Sequence, residues 1–280
     1  MKSWLVRQTF CGIATAAIFV AVSSPSFAGL FKVTITNNAP TGGAALAPVW
    51  VGFHDGTFDT YDGGSPASSS LESLAEDGNV SGISADFAAQ QSNGVQGTLA
   101  TLPPPPIQPG QSVTQSFLLS AGGNNSFFSY ASMVLPSNDF FVANRNPQAH
   151  DISALFGTSG SITFDIGLPG TVNDAGTEVE DYNTSAANGL FGLPGGQGGP
   201  NIGANQSDVI TNVIGPNPLG ALNFPGNLDL SAFDFNNAAL YPNGIATVTI
   251  SAVPEPTSLG LFGFGLVSAG VYFRRRSQAS

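Results

Sequence analysis

The chain predicts an all-β fold, an antiparallel β-sandwich with one or two short helices in a long loop, and three observations carry that expectation. Short stretches rich in β-branched and aromatic residues recur along it, separated by Gly, Pro, Asn and Ser. In the first of them, Leu30 to Thr36, apolar and polar side chains alternate with the period of two that dries one face of a sheet and wets the other. The helices that repeated parallel crossovers require are missing, which favours antiparallel connections.

Leu30-Phe31-Lys32-Val33-Thr34-Ile35-Thr36 alternates in this way and stops at Asn37-Asn38-Ala39-Pro40, which predicts a first strand and its turn. Val49 to His54 predicts a second. Ser112 to Leu119, after the Pro103 to Pro106 run and Pro109-Gly110, predicts a third, and Phe127 to Leu135, Ser161 to Ile166 and Gly244 to Ser251 complete the set. Two short helices are expected between the second and third strands. Ser69 with Glu72 reads as a capping box ahead of Leu71, Leu74 and Ala75, with Asp77-Gly78 as the stop. Ser84 reads as the cap of the other, with Ile83 and Phe87 on one face. Residues 183–236 are heavy in Gly, Pro and Asn and read as an insertion or extension with no assigned element. His54 and the pairs Phe127-Phe128 and Phe140-Phe141 read as packing residues.

Both ends of the chain carry sorting features. Lys2 and Arg7 precede an apolar stretch from Phe10 to Val22, and Ser26-Phe27-Ala28 has the small, any, small pattern of a cleavage site. Residues 1–28 therefore read as a signal peptide cut after Ala28. Cys11, the one cysteine, lies inside it, so disulfides are excluded from residues 29–252. At the other end Pro254-Glu255-Pro256 leads into an apolar run, Leu259 to Phe273, and then Arg274-Arg275-Arg276. Fifteen helical residues reach about 22 Å, short of the roughly 30 Å hydrocarbon core, so this short transmembrane stretch suits transient insertion, with the arginines on the cytoplasmic side. Residues 253–280 resemble the PEP-CTERM sorting signal of Gram-negative bacteria. The resemblance implies an exosortase-type protease as partner, inner-membrane contact before processing, and a final place at the cell surface, outer-membrane-associated or in the extracellular matrix.

Charge narrows the function classes. Residues 29–252 read as one domain and hold two cations, Lys32 and Arg145, against seventeen acids, a net of −15. Such a surface repels nucleic acid and anionic lipid. Gly157 to Ser161 breaks the nucleophile-elbow pattern at its last position, and H-E-x-x-H, C-x-x-C and phosphate-loop motifs are missing, so no enzyme is expected. A paired-carboxylate glycosidase stays open among so many acids.

Calcium templates fit at two places. Asp55 to Pro66 fails an EF-hand at three positions, and Gly195 to Pro200 fails the nonapeptide calcium repeat. Ser132 to Val142 and Ile166 to Glu178 are better placed, because each leaves a strand through a Pro turn that bears an acid. Asp139 and Asp174 are the candidate ligands for one Ca2+; each also suits an Asx turn that bonds nearby amides.

At these residues the chain resembles the spondin N-terminal domain family. The carriers are S-M-V-L-P-S-N-D-F-F-V at Ser132 to Val142, N-D-A-G-T-E at Asn173 to Glu178, F-K-V-T-I-T-N at Phe31 to Asn37, V-G-F-H-D-G at Val51 to Gly56 and L-A-E-D-G at Leu74 to Gly78. The resemblance implies a sandwich like a C2 domain, one calcium at its loop end, roles in extracellular adhesion or matrix binding, and no catalysis. Asp139 and Asp174 fall on the family's two aspartate ligands, and Glu178 stands where the family usually has aspartate. The position of a further glutamate ligand is matched by Ser120, which lacks the charge. An exported polysaccharide-binding or polysaccharide-active protein, with exopolysaccharide as partner, is the alternative.

Overall fold

The computed structural model describes residues 28–102, 106–179, 203–215 and 230–254. The expected signal peptide up to Phe27, the tail from Glu255 onward and most of 183–236 lie outside them. Among the described residues the strands are β1 (Ala28–Asn37), β2 (Ala45–Leu46), β3 (Val49–His54), β4 (Val95–Leu99), β5 (Ser112–Ser120), β6 (Phe127–Leu135), β7 (Phe140–Ala143), β8 (Ser161–Ile166), β9 (Asn173–Asp174), β10 (Thr211–Asn212) and β11 (Ala246–Val253). Every pairing between them is antiparallel. One sheet has the order β5-β1-β11-β8, and the other runs β10-β9-β7-β6-β3-β4 with β2 against β6.

The alternating residues of β1 explain the first layer contact. Phe31, Val33 and Ile35 are buried against Val51, Phe53 and Phe128 of the facing sheet, while Lys32, Thr34 and Thr36 point outward. β3 and β6 break the alternation, being buried at almost every position. Their second face is covered by the helices α1 (Ser69–Asp77) and α2 (Ser81–Gln90), whose Leu71, Leu74, Ile83 and Phe87 close over Trp50 and Phe141. A strand dry on both faces has no polar side to alternate with.

The helix caps differ from expectation by a few residues. Ser68, not Ser69, accepts the Leu71 amide and caps α1, so the cap lies one residue before the expected one. Gly78 ends α1 as expected, in the left-handed conformation at φ 64°, with its amide on the Leu74 carbonyl. Ser84 lies inside α2; Asn79 accepts from Ser81 at its start, because an Asx side chain two residues upstream satisfies the first free amide. β4, β7, β9 and β10 are strands the alternation rule does not reveal, the last two having only two residues each.

The sandwich has two distinct ends. Ala28 pairs with Ser120 and Leu30 with Val253, so the start of β1, the end of β5 and the end of β11 share one end, where both expected processing junctions emerge. At the other end the Asn37 side chain donates to the Ile107 carbonyl, Ile107 bridges Leu46, and Leu46 pairs with Val134 next to the end of β6. The turn that bears Asp139 follows there.

Candidate metal centre

Asp139 sits at the start of β7, and β9 lies beside it through the Phe140–Asp174 pairing. The strand pairing thus brings the two candidate aspartates together from separate turns. Asp139 is fully buried, and its Oδ2 accepts from the Thr177 amide at 2.8 Å, the Thr177 hydroxyl at 3.3 Å and the Glu178 amide at 3.2 Å. It clamps a loop 38 residues away instead of closing a turn on itself. Its Oδ1 is buried with no hydrogen-bond partner.

Asp174 does form an Asx turn, with Oδ1 accepting the Gly176 amide at 2.7 Å. Burial first, and then the charge of Asp139, push its carboxyl up to about 6, with Asp208 adding to the effect. Glu178 is buried, and its Oε1 accepts the Gly203 amide at 2.9 Å. A Cβ at residue 203 would displace the Glu178 carboxylate, so glycine lets the two approach this closely. The segment from Gly203 to Ile210 continues along this loop, the Gln206 amide on the Thr177 carbonyl and the Asp208 amide on that of Gly176.

One acid escaped the sequence reading. Glu76, in the last turn of α1, is 1 % exposed and neither of its oxygens makes a hydrogen bond. Burial pushes its carboxyl up to about 7 against the pull of the nearby Thr177 side chain, and Glu178, Glu72 and Asp77 raise it further. It lies within the L-A-E-D-G stretch, but helical spacing did not separate it from its neighbours Glu72 and Asp77, which are not fully buried. Ser120 takes no part. It ends β5 at the opposite end of the sandwich, where its amide donates to Asn125.

The donor set is all oxygen, which suits a hard cation such as calcium, and a buried carboxylate oxygen without a partner calls for a proton, a water or an ion. Among the described residues no three Asp, Glu, His or Cys side chains converge closely enough to hold a metal ion by themselves.

His54 and His150 belong to the packing. His54 is fully buried, hydrogen-bonded to Ser129 through Nε2 at 2.8 Å and to the Gly56 amide through Nδ1 at 3.0 Å. His150 stacks on Phe164 at 3.6 Å. Burial lowers both from 6.5 to about 4. Between pH 7 and pH 5 the folded chain takes up protons on Glu76 and Asp174 before the unfolded chain does, which adds stability as pH falls. The unfolded chain protonates the two histidines first, which removes it. The opposed pairs are expected to leave the melting temperature nearly level from pH 7 to pH 5. His150→Phe should tilt the profile so that acidification stabilises; a steep acid loss in that variant, followed by calorimetry, would refute the balance.

Residues 32–146 match the family model Spondin_N, a span that contains Glu76 and Asp139 and ends before Asp174. Residues 252–276 match the PEP-CTERM protein-sorting motif. No curated protein matches the chain. The chain is an exported protein, sorted toward the cell surface by an exosortase-type system.

Proposed function

We propose, for a chain with a spondin N-terminal region and an exosortase-type sorting motif, that it is a calcium-binding, non-enzymatic adhesion or interaction protein. It would work at the outer membrane surface or in the extracellular matrix. One observation carries this reading: the fully buried Asp139, with an unpartnered Oδ1, stands beside a second carboxylate, Asp174, whose proton affinity its charge raises. Asp139 and Asp174 would hold the ion with main-chain oxygens completing its shell, while the Glu178 carboxylate accepts from the Gly203 amide. The ion would supply the positive charge that offsets their repulsion.

The position of the site supports adhesion. It lies at the end of the sandwich away from the two processing junctions, so a chain held by its tail would present it outward. Binding to the folded state alone adds about 2.7 kcal/mol at a hundredfold excess over Kd, which in a domain of this size is about 5–10 °C. Calcium is therefore expected to raise the melting temperature by that order, and Asp174→Asn to erase the rise. A wild-type melting curve indifferent to millimolar calcium would sink the proposal.

A cavity of about 260 Å³ between the two helices and the segment after β3 favours the polysaccharide alternative as a second reading. Asp59, Tyr61, Ser65, Ser68, Asp86 and Gln90 line it, hydroxyl and carboxylate groups of the kind that bind sugar hydroxyls. Incubation with purified exopolysaccharide separates the readings: retention supports a binding role, shortened chains an enzyme, and neither outcome leaves only the calcium reading.

A further inference from the structure

The outward face of the four-stranded sheet is ordered in rows that cross the strands. Through most of its height those rows hold Ser, Thr, Asp and Lys side chains, among them the hydroxyl pairs Thr34–Thr114 at 2.9 Å and Thr163–Thr249 at 3.1 Å. The row near the processing junctions is different. Leu118, Leu30 and Val253 stand opposite one another on β5, β1 and β11, Leu118 being 65 % and Leu30 41 % exposed. Behind this row opens an apolar cavity of about 680 Å³ lined by Leu30, Phe31, Leu155, Ala252, Val253 and Pro254. Adjacent apolar side chains in register on an otherwise hydroxylated face mark a contact surface.

What covers it follows from where the chain goes next. Four residues, Glu255 to Ser258, separate Pro254 from the apolar run that begins at Leu259. The five steps from Pro254 to Leu259 therefore reach at most about 18 Å however they are folded. The headgroup layer on each side of the hydrocarbon is itself about 5–8 Å deep. A tail inserted at Leu259 thus confines this end of the sandwich to within about 13 Å of the headgroup layer. Lys32, one of two cations among residues 29–252, stands on the same face two residues along β1 from Leu30, within reach of lipid phosphate. The region as a whole, at −15, is repelled from an anionic surface, so contact is end-on.

We infer that the Leu30–Leu118–Val253 row, flanked by Lys32, is a membrane-docking edge that seats the sandwich on the lipid surface while the sorting tail is inserted. The inference rests on the reading of the tail as a membrane-inserting segment. It is independent of calcium.

Site-directed fluorescence tests it on residues 29–280, the cysteine-free chain expected after cleavage at Ala28, carrying one new cysteine labelled with bimane. Leu118→Cys probes the row. Ser112→Cys is the control on the same strand and face, six residues or about 20 Å away. The chain is mixed with vesicles of phosphatidylethanolamine and phosphatidylglycerol that contain spin-labelled lipid, and flotation is measured first. The expected result is co-flotation with several-fold stronger lipid quenching at 118 than at 112. Co-flotation with equal, weak quenching at both positions overturns the docking edge and leaves the tail reading standing. Failure to float overturns both. A label at 118 already shielded without vesicles means that protein covers the row, another copy or the chain's own tail, and overturns the lipid assignment.

Discussion

Trp50→Ala is expected to remove about 3–5 kcal/mol of stability, the range for deleting a large buried aromatic side chain, and to lower the melting temperature by about 10–15 °C. Trp50 is fully buried on the face of β3 that meets the helices. Its ring packs with centroids 5.5 Å from Phe58 and 5.3 Å from Phe87, and its indole nitrogen donates to Gln96 at 2.7 Å. Gly52 makes room for this cluster, since a Cβ there would come within 2.7 Å of the Trp50 ring and 2.8 Å of Phe87. Truncation leaves a cavity between sheet and helices and leaves Gln96 Oε1 with the Ser84 hydroxyl, at 2.9 Å, as its remaining donor. Leu118→Ala, on the exposed row, is the contrast and should change stability by no more than about 0.5 kcal/mol. Urea denaturation of the two variants checks the pair of values; a small loss at Trp50 would mean that the helix layer is not part of the cooperative core.

Asp139→Ala is expected to be the next most damaging change, at about 2–3 kcal/mol. The loss is that of charge-assisted bonds to the Thr177 and Glu178 amides, reduced by relief of a buried charge. Asp139→Asn keeps an oxygen for those amides and should lose much less. Both variants should lose any melting response to calcium. Loss of stability without loss of the calcium response would assign Asp139 to the clamp alone; full stability in the Ala variant would contradict the clamp.

Much of the fold was legible because half-buried strands such as β1 leave a period-two record and strands buried on both faces, β3 and β6, leave short runs of β-branched and aromatic residues. Leu30 to Thr36, Val49 to His54, Phe127 to Leu135 and Ser161 to Ile166 lie within or coincide with strands of the structure. The short strands escaped because two-residue pairings such as Asn173-Asp174 leave no period to detect. α2 was displaced because its cap, Asn79, sits two residues outside it, where the sequence offered several equivalent Ser and Asn. At the candidate site Asp139 and Asp174 could be read from their turns. Glu76 could not, since an acid among other acids on a short helix shows its burial only after the helix has packed.

The sequence alone determined the alternating strands, the export and sorting features at the two ends and the acidic surface between them. Each is a local property, written in side-chain period, run length or charge. Only the tertiary structure decided that Phe140 pairs with Asp174, that Asp139 reaches across 38 residues to Thr177, and that Leu30, Leu118 and Val253 share one row. Those are matters of sheet register. Register is fixed by which faces must be buried together across the whole core, and a one-residue slip would send every one of these side chains to the opposite face.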